Sequence, residues 1–182
     1  MVSNQKIIFM VGPDRCGKTE ISKELSNRTG IPYFKASSEH DTFVSSRTSR
    51  SDRFINQLRY ADPRVHDLLR QTGYSLIFDR GFPCEAAYSS VLGRETDHVV
   101  LTHMDEQWAS LGSILVFCHR STYRGIVDDI DATIDERALQ HIHDAYLRYF
   151  ETTKCRVINL NVDDEDLDRE VNEIIRRIND HA

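Results

Sequence analysis

The segment VGPDRCGKTE, residues 11–20, constrains this chain more than any other. Gly12, Gly17, Lys18 and Thr19 fit the pattern G-x-x-x-x-G-K-[ST], and the apolar run KIIFM stands directly before it. Glycines at those places let the backbone close around a polyphosphate, with successive N–H groups aimed at its oxygens. In this pattern the lysine reaches the outer phosphates and the hydroxyl after it ligates Mg²⁺. The helix expected next presents its positive N-terminus to the same anion. Gly12, Pro13, Asp14, Arg15, Cys16, Gly17, Lys18 and Thr19 are therefore the expected ATP-binding loop, with Thr19 as a Mg²⁺ ligand. A loop that only holds a nucleotide requires neither an acid nor a base at its crown, so Asp14 and Arg15 need a separate explanation.

The rest of the chain says what the loop is built on. KIIFMVG (6–12) and YSLIFDRG (74–81) read as short buried strands, and IPYFKAS (31–37), SILVFCH (113–119) and CRVINLNV (155–162) as further strands. Helical patterns fall between and after them, at 18–30, 52–73, 84–93, 105–112, 135–151 and 164–178. The second breaks around Asp62-Pro63, because proline disfavours the helical region for its predecessor. Leu139, Ile142, Tyr146, Tyr149 and Phe150 share one helix face, and Leu167, Val171, Ile174, Ile175 and Ile178 another. Residues 38–53 read as a loop or irregular helix. Strand–helix alternation repeated five times predicts an α/β fold, a five-stranded parallel sheet flanked by helices on both faces. With 182 residues, the whole of 1–182 is expected to form a single domain.

Composition limits the partners. A formal net charge of −6 and a pI near 5.7 argue against a general nucleic-acid binder, although Arg47, Arg50, Arg53 and Arg59 form a local basic cluster. Cys16, Cys84, Cys118 and Cys155 contain no CxxC spacing. With no recognisable secretory leader, they predict reduced thiols and a cytoplasmic protein. The apolar runs fall far short of the ~20 residues of a membrane span.

A second feature narrows the class. Asp79 and Arg80 close a buried strand at its carboxyl end, where open α/β sheets bind ligands. An acid there orients Mg²⁺ or an acceptor, and an arginine clamps an acceptor phosphate through two parallel hydrogen bonds. No N-K-x-D base-reading motif of a switch GTPase occurs. These features together favour a small-molecule kinase.

The segments GPDRCGKT, FDRGFPCEAAYS and DERALQHIHDAYLRYFE stand in the order and spacing of the thymidylate kinase family, which the chain resembles along nearly its whole length. The resemblance implies a P-loop kinase fold with a lid-like segment at about 120–135. It also explains the loop crown: Asp14 approaches the acceptor's sugar 3′-hydroxyl, and Arg15 neutralises charge on the phosphoryl group in flight. Arg15, Lys18, Asp14 and Asp79 are then the expected catalytic residues, with Thr19 and Asp79 on the metal. Arg59 would bond the acceptor base and Phe54 stack on it. Tyr88 would line the pocket, and Lys35 and Arg80 would hold the acceptor phosphate. The lid-like stretch YRGIVDDIDATID carries Asp128, Asp129 and Asp131 where basic residues would be expected, leaving the catalytic arginine to the loop.

The chain departs from that family at three places. Gly81 replaces a tyrosine, Cys84 a small hydroxyl residue, and Glu85 adds a carboxylate beside the base pocket or on a solvated helix face. The reaction implied is transfer of the ATP γ-phosphoryl group to a deoxypyrimidine monophosphate, dTMP or a modified dUMP, by a homodimer. Three alternatives stay open. A deoxynucleoside kinase would use Glu39 as base, and a kinase acting on a hydroxyl within DNA would use the arginines at 47–59. A non-enzymatic ATP-binding regulator would be marked by its acidic lid. No metal site beyond the nucleotide's Mg²⁺ is expected, since His141 and His143, two apart on a helix, face different ways.

Overall fold

The computed structural model describes residues 5–35, 62–126 and 134–180. Strand β1 (Ile7–Val11) is five consecutive buried apolar residues, a pattern that suits only a central strand covered on both faces. It lies between β3 (Leu76–Asp79) and β4 (Ile114–His119), with β2 (Tyr33–Lys35) and β5 (Arg156–Asn161) outside them. The sheet runs β2-β3-β1-β4-β5, and every pair is parallel. Six helices are found among the described residues: α1 (Lys18–Thr29), α2 (Asp62–Thr72), α3 (Phe82–Leu92), α4 (His98–Ser110), α5 (Glu136–Phe150) and α6 (Leu167–Asn179). Helix α1 packs with α6, while α3 packs with α4 and α5, so the sheet is covered on both faces as expected.

Strand order reverses at β1. The chain moves outward to β2 and β3 on one side, then to β4 and β5 on the other. The register pairs Met10 and Lys35 each with Asp79, and Val11 with Phe117, so four strands end along one carboxyl edge. That edge is where the loop of residues 12–17 emerges. Phe9 and Phe78 stack with ring centroids 4.5 Å apart, and Trp108 of α4 meets both edge-on. This aromatic cluster fixes the floor beneath Asp79.

Helix boundaries differ from expectation where a cap decides them. Helix α4 begins at His98 rather than 105, because the Asp97 carboxylate accepts the Val100 N–H at 3.1 Å. Leu101, Met104 and Trp108 then bury at helical spacing. Helix α3 starts at Phe82 with Pro83 in its first turn, where a missing N–H costs nothing. Asp166 caps α6 by accepting the Arg169 N–H, so Leu167 is its first residue and is 37% exposed. The inward stripe is Val171, Ile174 and Ile178, with Ile175 only partly buried. Pro63 sits in the first turn of α2, and the helical piece expected before it, from 52 to 61, lies outside the described residues. No helix among the described residues is long and apolar enough to cross a membrane.

Candidate active site

The loop is held by one close approach and one open helix end. Gly12 leaves β1 at φ 133, and a Cβ there would lie 2.0 Å from the Cys118 carbonyl oxygen of β4. Gly17, at φ 63, is the N-cap of α1 and brings no side chain to its first N–H groups. Those donors are therefore available to an anion, aided by the helix dipole. Lys18 is buried; its ammonium donates to the Pro13 carbonyl at 2.5 Å and lies 3.9 Å from Asp14 Oδ1. A lysine so placed already belongs to the loop interior, beside the positions a polyphosphate would take.

Thr19 and Asp79, 60 residues apart, meet directly: the Thr19 hydroxyl donates to Asp79 Oδ2 at 2.6 Å. Tyr33 donates to the same oxygen at 3.2 Å. Partial burial and then the Asp79 charge push the Tyr33 phenol up to about 12, so it remains a donor at neutral pH. Asp79 is buried, and its Oδ1 has no hydrogen-bond partner among the described residues. A hydroxyl and a carboxylate with one oxygen unused make a hard-oxygen donor set that fits Mg²⁺ held jointly with phosphates.

Asp14 Oδ1 accepts from Arg80 Nη2, an ion pair joining the loop crown to the end of β3. Burial works to raise the Asp14 carboxyl, but Lys18 and Arg80 outweigh it and hold it below the usual carboxylate range. Asp14 thus stays ionised between two cations. Arg80 has a left-handed backbone (φ 74), and its guanidinium carbon lies 5.8 Å from the centre of the buried Tyr88 ring. Gly81 follows at φ 152, with the Phe9 ring 2.7 Å from where a Cβ would stand, which accounts for the absence of a tyrosine here. Lys35 is exposed at the end of β2, in register with Asp79.

Cys84 is buried, and burial raises its thiol, so it stays protonated. Glu85 is not on a solvated face: it is 4% exposed, and Arg94 Nη2 lies 3.3 Å from its carboxylate. Helix α3 buries nearly its whole circumference, and a carboxylate inside it requires a counter-charge. Phe54, Arg59, Glu39, Asp128, Asp129, Asp131 and the arginines at 47, 50 and 53 lie outside the described residues.

Sequence reasoning missed three residues. Tyr33 sits on Asp79, as given above. Arg120, directly after β4, donates from Nε to the Arg15 carbonyl at 3.1 Å. The signal that singled out Asp79-Arg80, charge at a strand's carboxyl end, is equally present in His119-Arg120 and was not applied there. Tyr123 completes the group: its hydroxyl lies 3.8 Å from Cys16 Sγ, accepts the Arg120 N–H at 3.3 Å and bonds His143 Nδ1 at 3.2 Å. His141, by contrast, is exposed, so the two α5 histidines do face different ways.

The partial burial of His143 gives a pH dependence. Burial first, and then the neighbouring His119, hold His143 below its ordinary value of 6.5, against a smaller opposing effect of Asp144. The native state therefore disfavours the imidazolium. Its contribution to stability should be constant above pH 6.5, decline as pH falls below that value, and level off beneath the native pKa. Urea midpoints at pH 5 to 8 should show this slope in the native protein and a flatter one in His143→Gln. An equal slope in both would assign the titration to another group.

The comparisons with known proteins agree with this architecture. The YorR protein of Bacillus subtilis, solved in complex with phosphorylated GDP, superposes with a TM-score of 0.68 at 16% identity, over 94% of this chain and 95% of its own. Deoxyadenosine kinase from M. mycoides, with dCMP and dCDP bound, gives 0.58 at 19% identity, over 96% and 99%. Thymidylate kinase from Candida albicans gives 0.56 at 16% identity, over 97% and 92%. At such identities the likeness is one of fold, the P-loop kinase fold. No curated protein sequence matches the chain. A family model described as AAA domain, AAA_28, matches residues 7–167, from the first residue of β1 through the loop and both strand-end pairs to the start of α6; the chain belongs to this AAA domain family.

Proposed function

We propose that the protein transfers the γ-phosphoryl group of ATP to a deoxynucleoside monophosphate, with a deoxypyrimidine monophosphate, dTMP or a modified dUMP, as the preferred acceptor. The observation that carries this reading is the Asp14–Arg80 pair. It joins the crown of a phosphate-type loop to an arginine at a second strand end, so sites for two anions adjoin across one ionised carboxylate.

The roles follow from position. The N–H groups of 12–17 and the Lys18 ammonium take the donor phosphates, and Thr19 and Asp79 hold Mg²⁺. When bound, Mg²⁺ supplies charge neutralisation between the β- and γ-phosphates. Arg15, at the crown, neutralises charge on the transferred group. Arg80 presents its fork to the acceptor phosphate, with Lys35 beside it, and Asp14 keeps that fork oriented while offering its carboxylate to the sugar. Tyr88 and Cys84 form the buried wall behind, and Glu85, fixed by Arg94, borders the base end. Phe54 and Arg59 complete the proposed acceptor site. Catalysis of this kind rests on positioning and charge stabilisation, with little covalent work for the protein.

A deoxynucleoside kinase is the second reading, favoured by the fold likeness to the M. mycoides enzyme. An ATP-to-ADP assay with Mg²⁺ separates the two, run with dTMP, dUMP, 5-hydroxymethyl-dUMP, dCMP, dGMP, dAMP, thymidine and single-stranded DNA. The expected result is ADP formation with a pyrimidine monophosphate. Turnover with thymidine or DNA alone would overturn the acceptor site, and ATP binding without turnover would leave a regulator.

A further inference from the structure

Three non-glycine residues among those described have a left-handed backbone: Arg15 (φ 63), Arg80 (φ 74) and Glu165 (φ 52). One side chain bonds two of them. Arg120 donates from Nε to the Arg15 carbonyl at 3.1 Å and from Nη2 to the Glu165 carboxylate at 2.6 Å. Its side chain is 17% exposed. The Arg120 N–H is itself tied to the Tyr123 hydroxyl, and the next N–H, of Ser121, donates to Asp163 Oδ1 at 2.9 Å. Asn161 closes the circuit, donating to Asp163 Oδ2 and to the Ser121 hydroxyl, each at 3.0 Å. The loop crown, the turn after β4 and the turn after β5 are thereby knit together at one guanidinium.

A left-handed conformation carries a steric penalty for any residue with a Cβ, so it persists only where the surroundings over-determine it. At Arg15 the fixed partner is a planar fork, anchored at its far end by a carboxylate and at its near end by the backbone. We infer that Arg120 is a positioning residue for Arg15: it sets the backbone at the crown, and so the origin of the Arg15 side chain, relative to the group being transferred. This rests on the proposed role of Arg15 in phosphoryl transfer. The bracket bonds the Arg15 carbonyl and leaves the N–H groups of 12–17 and the Lys18 ammonium to the donor phosphates. Loss of the bracket should therefore affect turnover more than ATP affinity.

The test compares Arg120→Met, which keeps the apolar stem and removes every donor, with Arg120→Lys, Glu165→Gln, Arg15→Ala and the Arg15→Ala/Arg120→Met double variant. Arg120→Met should lower kcat about tenfold or more while the KM for ATP changes by less than about threefold, and the double variant should be no worse than Arg15→Ala alone. Arg120→Lys should recover part of the loss, and Glu165→Gln should repeat the kcat effect at smaller size. Additive losses in the double variant, or a KM rising as far as kcat falls, would overturn the inference. Hydrogen exchange of the amides at 14–17 in the nucleotide-free protein gives a readout independent of any acceptor. Faster exchange in Arg120→Lys and Glu165→Gln than in the native protein supports the bracket, and unchanged exchange sinks it. This arm decides the question even if no acceptor in the panel is phosphorylated, a result that would overturn the proposed function alone.

Discussion

Arg15→Ala should lower kcat by roughly a thousandfold, with ATP affinity changed only a few-fold. The asymmetry follows from the role proposed for the side chain. In the proposed site, donor phosphates in the ground state are served by backbone N–H groups, by Lys18 and by the α1 N-terminus, and none of these is altered. Charge on the equatorial oxygens of the phosphoryl group grows as it leaves the donor, and a guanidinium placed for that moment stabilises the transition state more than the bound substrate. Lys18 cannot substitute, because the proposed site commits its buried ammonium to the donor phosphates. Arg80 cannot either, because the proposed site commits its fork, oriented by Asp14, to the acceptor phosphate. Arg15→Lys should restore only part of the activity, since a point charge lacks the planar fork. Steady-state kinetics with the best acceptor of the panel, together with equilibrium binding of a non-hydrolysable ATP analogue, separate the two quantities. Equal losses in kcat and in affinity would make Arg15 an ordinary donor-binding residue.

The parts of this site that the sequence announced are those built from contiguous residues. The loop and the three inner strands were legible because a strand buried on both faces is an unbroken apolar run, and because the glycine and lysine spacing of the loop is local. Asp79 and Arg80 were legible from their place at the end of such a run. The contacts between elements were not. Nothing in the sequence states that Asp14 meets Arg80, 66 positions away, or that Tyr33 meets Asp79, 46 away. Those pairs exist because parallel register aligns strand ends, and register depends on the packing of the whole sheet. Glu85 was open to misreading for a related reason. Helix α3 has no solvated stripe to mark which positions are inside, and the partner that makes a buried carboxylate tolerable, Arg94, lies beyond the helix end. Arg120 lacked a motif altogether, although its position after β4 repeats that of Asp79-Arg80 after β3.

Gly12→Ala should cost about 3 kcal/mol or more of stability and abolish ATP binding. Two penalties coincide there. At φ 133 an alanine is strained by its own backbone, and its Cβ would stand 2.0 Å from the Cys118 carbonyl oxygen and 3.1 Å from the carbonyl carbon. Those atoms belong to the backbone of a central strand, so no rotamer change relieves the overlap. The remaining route is to part β1 from β4 at Val11–Phe117, the last rung of their ladder before the loop. Gly30→Ala isolates the first penalty, since that residue is also left-handed (φ 71) but has nothing within 4 Å of a Cβ. It should cost only about 1–2 kcal/mol, the ordinary price of a left-handed alanine, and leave ATP binding intact. Urea denaturation of the two variants beside the native protein, with ATP-analogue binding on each, reads both effects. If Gly12→Ala proved as mild as Gly30→Ala, the strand and the loop would not be in contact as described. The larger loss at Gly12 would instead establish that the phosphate-binding loop owes its shape to β4 pressed against it, as well as to its own glycines.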